Sequence, residues 1–398
     1  MIQLRWQQVL EMHHSAIAWR SGDTCLTFAQ VGQLARQYPL PPDGDPLVAK
    51  GESRDHLIAT VAALVHGRMV HLVEKDRAQR QPSTPPPHDT FLIKQTVGGS
   101  GVRRCQFFTA AQVLADVDRL HAALRLAETD AVASAISSAH SYGYTVTVLQ
   151  TVCHGLPLHA VEQPFPKLLT EALAHTERAF LPGIPALWGA WLTAGLPLER
   201  VKRCVSAGSP LTLDLERRYL ELHARKLHNL YGTSETGAVS YDGSEDLRTE
   251  ASDVGSVLQG VSVDDEGPLV ISSDAVGQGY DAPADGEVFG KGQFLSCDYG
   301  KLRDGRLHWL RCEGRGINVA GRKVAPDEVA QKLRRALAIS GVEVRGEVSR
   351  DPERCQHLVA AVDLPAEQIT VALKQQACAH LAPWEVPRVW VSSHAGPR

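Results

Sequence analysis

The stretch that decides the fold is Asn229-Leu230-Tyr231-Gly232-Thr233-Ser234-Glu235-Thr236-Gly237. It places an aromatic ring, a glycine turn and a hydroxyl–carboxylate pair next to one another. The ring offers a stacking surface for a nucleotide base, and the carboxylate offers the oxygen ligand that Mg²⁺ prefers. ATP with its metal ion needs both. The competing interpretation is a turn at a strand end with a solvated glutamate.

A glycine-rich segment upstream is the second chemical signal. Thr96-Val97-Gly98-Gly99-Ser100-Gly101-Val102-Arg103-Arg104 follows the strand-like Phe91-Leu92-Ile93-Lys94 and precedes a helix that begins near Thr109. Glycines let backbone N–H groups turn toward an anion without a Cβ in the way, and hydroxyls and a cation add charge-assisted hydrogen bonds. The spacing is not that of a Walker loop, and a simple turn is the alternative. The segment predicts a cradle for the phosphates of ATP.

These two segments, in this order, resemble motifs of the adenylate-forming superfamily, which contains acyl- and aryl-CoA ligases, peptide-synthetase adenylation domains and luciferases. The glycine-rich segment resembles the loop Thr-Ser-Gly-Ser-Thr-Gly-x-Pro-Lys, with Val97 where a hydroxyl is usual and Arg104 in the lysine position. The resemblance implies that Tyr231 stacks on adenine, Ser234 bonds the region of the α-phosphate, and Glu235 ligates Mg²⁺.

Two further segments extend the resemblance. Val205-Ser206-Ala207-Gly208-Ser209-Pro210-Leu211 resembles the Gly-Ala-Pro-Leu turn that borders adenine, and Phe294-Leu295-Ser296-Cys297-Asp298-Tyr299-Gly300 resembles a Thr-Gly-Asp-x-Gly strand end. Asp298 is therefore the expected ribose ligand. Its alternative role is to cap the turn at Asp304-Gly305, although that dipeptide forms a hairpin turn by itself. The expected nucleotide-binding residues are Thr96, Gly98, Gly99, Ser100, Gly101, Gly208, Ser209, Pro210, Asn229, Tyr231, Gly232 and Asp298.

The family's next ribose contact is an arginine about a dozen residues beyond the aspartate. Here Cys312 occupies the matching register, with Arg311 and Arg315 close to it in sequence. The chemistry of the connection between the two expected domains therefore departs from the family pattern.

The acid substrate leaves a weaker signal. Ser138-Ala139-His140-Ser141-Tyr142-Gly143-Tyr144 resembles the family's His-x-Tyr-Gly helix start beside the acyl pocket, and Gly183-Ile184-Pro185-Ala186-Leu187-Trp188 is the expected wall. His140, Tyr142, Gly143, Gly183 and Trp188 are thus the predicted acid-binding residues. A lone histidine is equally well a cap or a packed residue. No aspartate suited to an α-amino group is recognisable around His140, which favours an aryl or acyl carboxylate over an amino acid.

The C-terminal part carries a third motif. Gly316 to Val329 resembles the family's small-domain hairpin, in which Gly321 would allow close approach of the thiol substrate; a plain hairpin tip is the alternative. The family's catalytic lysine follows a Pro-Arg pair like Pro397-Arg398, and none is present after it. We therefore expect Lys323 or Arg398 to replace it, or a natural tail to supply it, or adenylation to be slow. The predicted catalytic residues are Glu235, Ser234, Arg104 and Lys323.

The composition limits the classes of protein to which this chain can belong. The 398 residues are 43% hydrophobic and 22% charged, with a net charge of −4, so the chain can bury a large core and has no basic field for nucleic acid. No segment reaches about 18 apolar residues and no signal peptide is recognisable, so we expect a cytoplasmic protein without membrane association. The 8 cysteines have no CxxC; Cys297 and Cys312 are the closest pair, and we expect reduced core thiols.

The expected fold is α/β: a large N-terminal adenylating domain of layered β-sheets and helices over residues 1–310, and a small mobile α+β domain over residues 311–398. The resemblance implies activation of an aryl or acyl carboxylic acid by ATP and Mg²⁺, with release of pyrophosphate, and then acyl transfer to a thiol of CoA or a carrier protein. The alternative is a non-catalytic protein of the same fold that binds nucleotide or acyl-adenylate. The acid and the thiol acceptor remain open.

Overall fold

The computed structural model describes residues 1–75, 79–97, 101–282, 288–314 and 316–393. Helices and strands alternate along most of this length, as predicted. The helices are α1 (Ile2–His13), α2 (Phe28–Arg36), α3 (Ser53–His66), α4 (Ala110–Ala123), α5 (Ser141–Val146), α6 (Val148–His154), α7 (Pro166–Leu173), α8 (Pro185–Thr193), α9 (Leu213–His223), α10 (Pro326–Leu337) and α11 (Val371–Cys378).

The strands fall into several sheets. Strands of the first half are β1 (Ile17–Ser21), β2 (Thr24–Thr27), β3 (Leu47–Gly51), β4 (Val70–Glu74), β5 (Thr90–Val97), β6 (Arg103–Thr109), β7 (Ala131–Ser134), β8 (Leu158–Ala160), β9 (Ala179–Gly183), β10 (Val201–Ser206), β11 (His228–Thr233) and β12 (Gly237–Tyr241). Those of the second half are β13 (Asp253–Val257), β14 (Val261–Asp264), β15 (Pro268–Ser273), β16 (Gly279–Tyr280), β17 (Phe289–Gly290), β18 (Gln293–Arg303), β19 (Arg306–Cys312), β20 (Ile317–Val319), β21 (Arg322–Val324), β22 (Val342–Val348), β23 (Gln356–Val362) and β24 (Val389–Ser392).

The local signals explain several of these boundaries. Thr27 caps α2 and forms a capping box with Gln30, which confirms the helix predicted after that threonine. The segment Pro82 to Pro87 forms neither helix nor strand, as its prolines predict. Asp304 and Gly305 both have positive φ, the conformation that a two-residue hairpin turn requires, and they join β18 to β19.

The largest sheet combines parallel and antiparallel strands. Among the described residues its order is β14-β15-β18-β19-β13-β12-β11-β10-β9-β7-β8-β1-β2, with β17 beside β18. Strands β9, β10 and β11 are parallel to one another, whereas β11 pairs with β12 antiparallel. A second sheet runs β16-β6-β5-β4-β3 and carries the hairpin between β5 and β6. The α/β fold class predicted from the sequence is confirmed.

Separate hydrophobic cores fill the layers. One joins helices α1 to α6 with the sheets, and a second packs Trp188, Trp191 and Tyr219 against β9 and β10. A further core contains only residues from Ile317 onward, including Val329 and Leu333 of α10, Val344 of β22 and Leu358 of β23. The C-terminal part thus has its own core, while the domain boundary at residue 311 stays a prediction. No helix among the described residues is both long and apolar enough to cross a membrane.

A buried ion network ties the two halves of the large sheet together. Lys226 contacts the carboxylates of Asp242 and Glu216, and Arg248 Nε lies 2.7 Å from Glu216 Oε2. The side chains of Lys226 and Glu216 are 0% exposed. Arg248 also donates to the carbonyl oxygens of Leu211 and Asp253, each at 2.7 Å. Because such groups are costly to leave unpaired, each member depends on the others.

We expect Glu216→Gln to lower the free energy of unfolding by about 3 kcal/mol, because Arg248 and Lys226 would lose their shared buried carboxylate. Urea unfolding followed by tryptophan fluorescence measures this change. Glu347→Gln is the control, since Glu347 pairs with Arg345 at the surface, with about half of each side chain exposed, and should change little. Equal effects of the two substitutions would contradict the role assigned to the network.

Candidate functional site

The carboxyl ends of the parallel strands define the site. Strands β7, β9, β10 and β11 end at Ser134, Gly183, Ser206 and Thr233 on the same edge of the sheet. Ligands of open α/β sheets bind at this edge. The predicted adenine-bordering turn follows β10, and the motif that begins at Asn229 runs through β11 and its turn. The topology therefore brings together two motifs that α9 separates in the sequence.

Tyr231 and Asp298 meet across this edge. The Tyr231 hydroxyl donates to Asp298 Oδ2 at 2.8 Å, and Trp309 Nε1 donates to Asp298 Oδ1 at 3.1 Å. Burial and the neighbouring carboxylate raise the pKa of Tyr231, so the phenol stays protonated and continues to donate. The predicted base-stacking ring and the predicted ribose acceptor are thus neighbours. Trp309 was not singled out from the sequence, since no motif marks it.

Glu235 lies in a second polar cluster. It is buried, 6% exposed, and accepts a hydrogen bond from the Tyr280 hydroxyl. The guanidinium of Arg104 stacks on the Tyr280 ring, 3.7 Å from its centroid, and donates to the Ala282 carbonyl oxygen at 3.2 Å. Arg104, predicted as a phosphate ligand, is 2% exposed and reaches Glu235 through Tyr280. Thr96 pairs with Arg104 in the β5–β6 hairpin and shares this face of the sheet.

The remaining motif residues are placed as follows. Gly101, with a φ of 73°, immediately precedes β6, whereas the predicted ligands Gly98, Gly99 and Ser100 lie outside the described residues. Asn229 is buried, and its carbonyl oxygen accepts from the Asp242 N–H at 2.8 Å. A Cβ at Gly232 would lie 2.4 Å from the carbonyl oxygen of Gly237, so the turn requires glycine there. Ser234 is partly exposed at the tip of the same turn.

The predicted acid-binding segment forms the start of α5. His140 precedes the helix, and its Nε2 lies 2.9 Å from Glu74 Oε1. Tyr142 donates to the Val205 carbonyl oxygen at 3.4 Å, and Trp188 Nε1 donates to the same oxygen at 3.2 Å. Trp188 is 0% exposed and belongs to the second core, so it supports the wall from behind. Gly143 lies within α5, and Gly183 ends β9.

The hairpin β20–β21 faces this site. Gly321 at its tip has a φ of 81°, and a Cβ added there would be 3.4 Å from Ile184 Cδ1 and from Ser209 Oγ. Asn318 Nδ2 donates to the Gly208 carbonyl oxygen at 3.3 Å. Ser209 and Pro210 therefore lie beside the hairpin as well as after β10. Lys323, the predicted replacement cation, is exposed and pairs with Asn318 across the hairpin.

Among the described residues, two ion pairs hold the C-terminal part against the sheet of β4 and β6, and a third joins Glu353 to Arg218 of α9. Arg322 pairs with Glu74, which also approaches His140, and the Arg322 guanidinium stacks 3.8 Å from the centre of the Trp384 ring. Arg103 Nη2, at the glycine-rich hairpin, lies 2.8 Å from Glu328 Oε2 in α10. Arg398, another predicted replacement cation, lies outside the described residues. The C-terminal part thus contacts both the acid segment and the phosphate segment.

Lys94 is a buried charge beside the predicted acid segment, and motif matching did not single it out. It is 5% exposed, donates to Ser141 Oγ at 2.7 Å, and lies 4.2 Å from the centre of the Phe108 ring. Burial lowers its pKa to about 8, and the charges of Asp116 and Glu235 oppose that shift. The available signal was a lysine in the middle of the apolar strand that begins at Phe91. Such a charge is rarely buried without a role.

A small cavity lies beside Lys94. Its volume is about 10 Å³, close to the space that one water molecule needs. It is lined by Leu92, Lys94, Phe108, Gln112, Val113, Asp116, Thr145, Leu149, Gly237 and Ala275. This volume is too small for an acid substrate.

A model of the AMP-binding enzyme family matches residues 12–281. The chain belongs to this family. Among curated proteins it is similar to a long-chain-fatty-acid–CoA ligase of Bacillus subtilis (strain 168), with 22% identity over 344 residues, 80% of this chain and 60% of the relative. The chain thus spans about 60% of the length of the curated relative it matches.

Solved structures of similar fold cover nearly all of this AMP-binding chain. An o-succinylbenzoate CoA synthetase of Bacillus subtilis, bound to a product analogue, has a TM-score of 0.82 and 15% identity, covering 99% of this chain and 95% of the other. A malonyl-CoA ligase bound to methylmalonyl-CoA and AMP has a TM-score of 0.79 and 20% identity, and the match covers 96% of this chain and 97% of the other. An amide bond synthetase of Marinactinospora thermotolerans has a TM-score of 0.77 and 16% identity, and the match covers 99% of this chain and 96% of the other. The predicted superfamily is confirmed, and the residue roles stay predictions.

The lowered pKa of Lys94 predicts a pH dependence of stability. The unfolded chain holds this proton up to about pH 10.5, whereas the folded protein releases it near pH 8, so between these values the unfolded state binds more protons. Stability therefore rises with pH in this window. We expect the unfolding free energy of the wild type, relative to Lys94→Met, to rise by about 1.4 kcal/mol per pH unit between pH 8 and 10. Chemical unfolding at several pH values tests this, with the exposed Lys301→Met as control; parallel curves would contradict it.

Proposed function

We propose that this protein activates a carboxylic acid, aryl or acyl, by forming an acyl-adenylate from ATP, and then transfers the acyl group to a thiol. The observation that carries this proposal is the junction of Tyr231, Asp298 and Glu235 at the carboxyl ends of β10 and β11. It offers a stacking ring, a ribose acceptor and a buried carboxylate in the order that a nucleotide presents its base, sugar and phosphates. Membership of the AMP-binding family supports it.

The nucleotide end of the site orients ATP. The Tyr231 ring supports the base, and Asp298 accepts from the ribose hydroxyls while Tyr231 and Trp309 hold its two oxygens in place. A carboxylate held by two donors does not need to reorganise when the ligand arrives. The β5–β6 hairpin, with Thr96 and Gly101, then leads to the phosphates. Backbone N–H groups and hydroxyls of this segment accommodate the negative charge.

The buried carboxylate of Glu235 fits a hard divalent cation. One of its oxygens accepts from Tyr280, and the turn beside it supplies the hydroxyls of Thr233 and Ser234. One carboxylate with few other protein ligands is the set that Mg²⁺ takes when phosphates supply the rest. The ion, when bound, offsets charge on the phosphates during attack by the acid. Arg104, through Tyr280, holds the Glu235 side chain in position.

The acid end of the site brings the carboxylate to the α-phosphate. The first turn of α5 carries His140 at the entrance and Ser141 over Lys94. The acid carboxylate oxygen attacks the α-phosphorus, the bond to the bridging oxygen of the β-phosphate breaks, and pyrophosphate leaves. A thiol then attacks the acyl carbon and AMP leaves. Gly321 has no Cβ, which would lie 3.4 Å from Ile184 Cδ1 and Ser209 Oγ, and this leaves room for a thiol-bearing chain beside the hairpin.

Pyrophosphate release over a panel of aryl and aliphatic acids, with CoA or a carrier protein supplied, tests the proposal. We expect release that depends on ATP, Mg²⁺ and one class of acid. Nucleotide binding without release for any acid would favour the non-catalytic alternative. No binding of ATP or AMP would contradict both.

We expect Glu235→Gln to reduce pyrophosphate release by about 100-fold or more, because the metal-bound phosphates lose a charged ligand. The amide keeps the size of the side chain and can still accept from Tyr280, so the thermal midpoint should move little. Glu250→Gln is the control, since Glu250 is half exposed. An unfolded Glu235→Gln variant with normal activity per folded molecule would instead make Glu235 a structural residue.

We expect Asp298→Asn to weaken AMP binding by about 1.5 to 3 kcal/mol, because the ribose hydroxyls lose a charged acceptor. Calorimetric titration measures this loss. Asp264→Asn, at an exposed position in β14, is the control and should bind AMP as the wild type does. Unchanged affinity in Asp298→Asn would show that the ribose lies elsewhere.

A further inference from the structure

Two cysteines meet beside the proposed ribose acceptor. Cys297 lies in β18 and Cys312 ends β19, and their Sγ atoms are 2.9 Å apart although both are free thiols. The two strands are firmly paired at this point: Asp298 is opposite Cys312, and the Glu313 N–H donates to the Cys297 carbonyl oxygen at 2.9 Å. The two cysteine backbones are therefore held as near neighbours, which is what a disulfide requires.

The surroundings make the two thiols unequal. The hydrogen bond from Cys297, with the positive charge of Lys323, lowers the pKa of the Cys312 thiol. The same contact, together with burial, raises the pKa of Cys297. Both residues are only partly buried, so a small oxidant can reach them. A nucleophilic thiolate with a second thiol in contact is the arrangement found in exchangeable dithiols.

We propose that Cys297 and Cys312 form a reversible disulfide bond with each other when a low-molecular-weight disulfide such as glutathione disulfide oxidises them. We further propose that this bond weakens nucleotide binding. The Cys312 thiolate attacks one sulfur of the oxidant, whose S–S bond breaks and releases one thiol. Cys297 then loses its proton and attacks Cys312 Sγ, and the second thiol leaves. The cysteine pair is oxidised by two electrons, and one oxidant disulfide is reduced to two thiols.

The position of the pair connects it to the site. Asp298 follows Cys297 in β18 and is opposite Cys312 in β19, so a bond between the two sulfurs would move the part of β18 that presents its carboxylate. Its contacts with Tyr231 and Trp309 would move with it. Residues after Cys312 lead directly into β20 and the hairpin that faces the site. The effect on nucleotide binding rests on the proposed function, whereas the bond itself does not.

A metal ion is the competing occupant of this cluster. Cys297, Asp298 and Cys312 offer ligand atoms that all lie within 4.8 Å of one another. However, the sulfur separation is shorter than the roughly 3.8 Å of two thiolates on a tetrahedral zinc ion with Zn–S bonds near 2.3 Å. The geometry therefore favours a sulfur–sulfur bond over a shared ion.

The bond is tested by incubating the full chain with glutathione disulfide, blocking the remaining thiols and mapping peptides by mass spectrometry. We expect a cross-link between the peptides of Cys297 and Cys312 that a reducing agent removes. Cys312→Ser should give no such cross-link, whereas Cys378→Ser, which changes a partly buried cysteine of α11, should give it as the wild type does. No cross-link at excess oxidant, or stoichiometric Zn²⁺ binding that protects both thiols, would overturn the proposal.

The consequence is tested by titrating AMP into the reduced, oxidised and re-reduced wild type. We expect affinity to fall about tenfold on oxidation, as in the loss of one charged hydrogen bond, and to return on reduction. Cys312→Ser should show no change with the oxidant. A cross-linked protein with unchanged affinity would overturn the effect on nucleotide binding. Reduced wild type that binds no AMP would instead contradict the proposed function and leave the cross-link result standing.

Discussion

Strand β11 hydrogen-bonds on one side to a parallel strand, β10, and on the other side to an antiparallel strand, β12. Within β11 the pairing therefore changes from parallel, at His228 and Asn229, to antiparallel, from Leu230 onward. The Gly232–Gly237 contact makes that change possible, because a Cβ at Gly232 would meet the backbone of the turn. The carboxyl end of β11 is consequently the place where Tyr231 and Glu235 are presented. Everything in the proposed site is arranged around this turn.

The antiparallel half of the sheet completes the nucleotide side. Strands β18 and β19 form a hairpin that is distant from Tyr231 in the sequence. They place Asp298 within hydrogen-bonding distance of the Tyr231 hydroxyl and of Trp309. The buried network around Lys226 and Glu216 joins α9 to the residues that precede β11 and follow β12. Paired buried charges stabilise little in net terms, but they penalise any arrangement that separates them. The network thus favours one fixed relation between β11 and the antiparallel strands.

The acid side is coupled to the C-terminal part through shared charges. Glu74 lies next to His140 of the acid segment and pairs with Arg322 of the hairpin, while Arg103 of the phosphate hairpin pairs with Glu328. Movement of the C-terminal part would break both ion pairs.

Sequence alone was sufficient for features that depend on local chemistry. The turn at Asp304-Gly305 and the Thr27 cap follow from residue types and their spacing, because each is satisfied within a few residues of backbone. The family resemblance rested on short motifs as well. By themselves they determined the α/β class and the candidate nucleotide ligands.

Tertiary structure alone decided the contacts between distant segments. Lys94 carries no motif in the sequence, and the fold buries it against Ser141. The guanidinium of Arg104 stacks on the ring of Tyr280, whose hydroxyl donates to Glu235. Cys297 and Cys312, expected to be ordinary core thiols, came into contact because the register of β18 and β19 places Cys312 opposite Asp298, the residue that follows Cys297. A register is set by the pairing of whole strands and by the packing on their faces, and no single motif contains it.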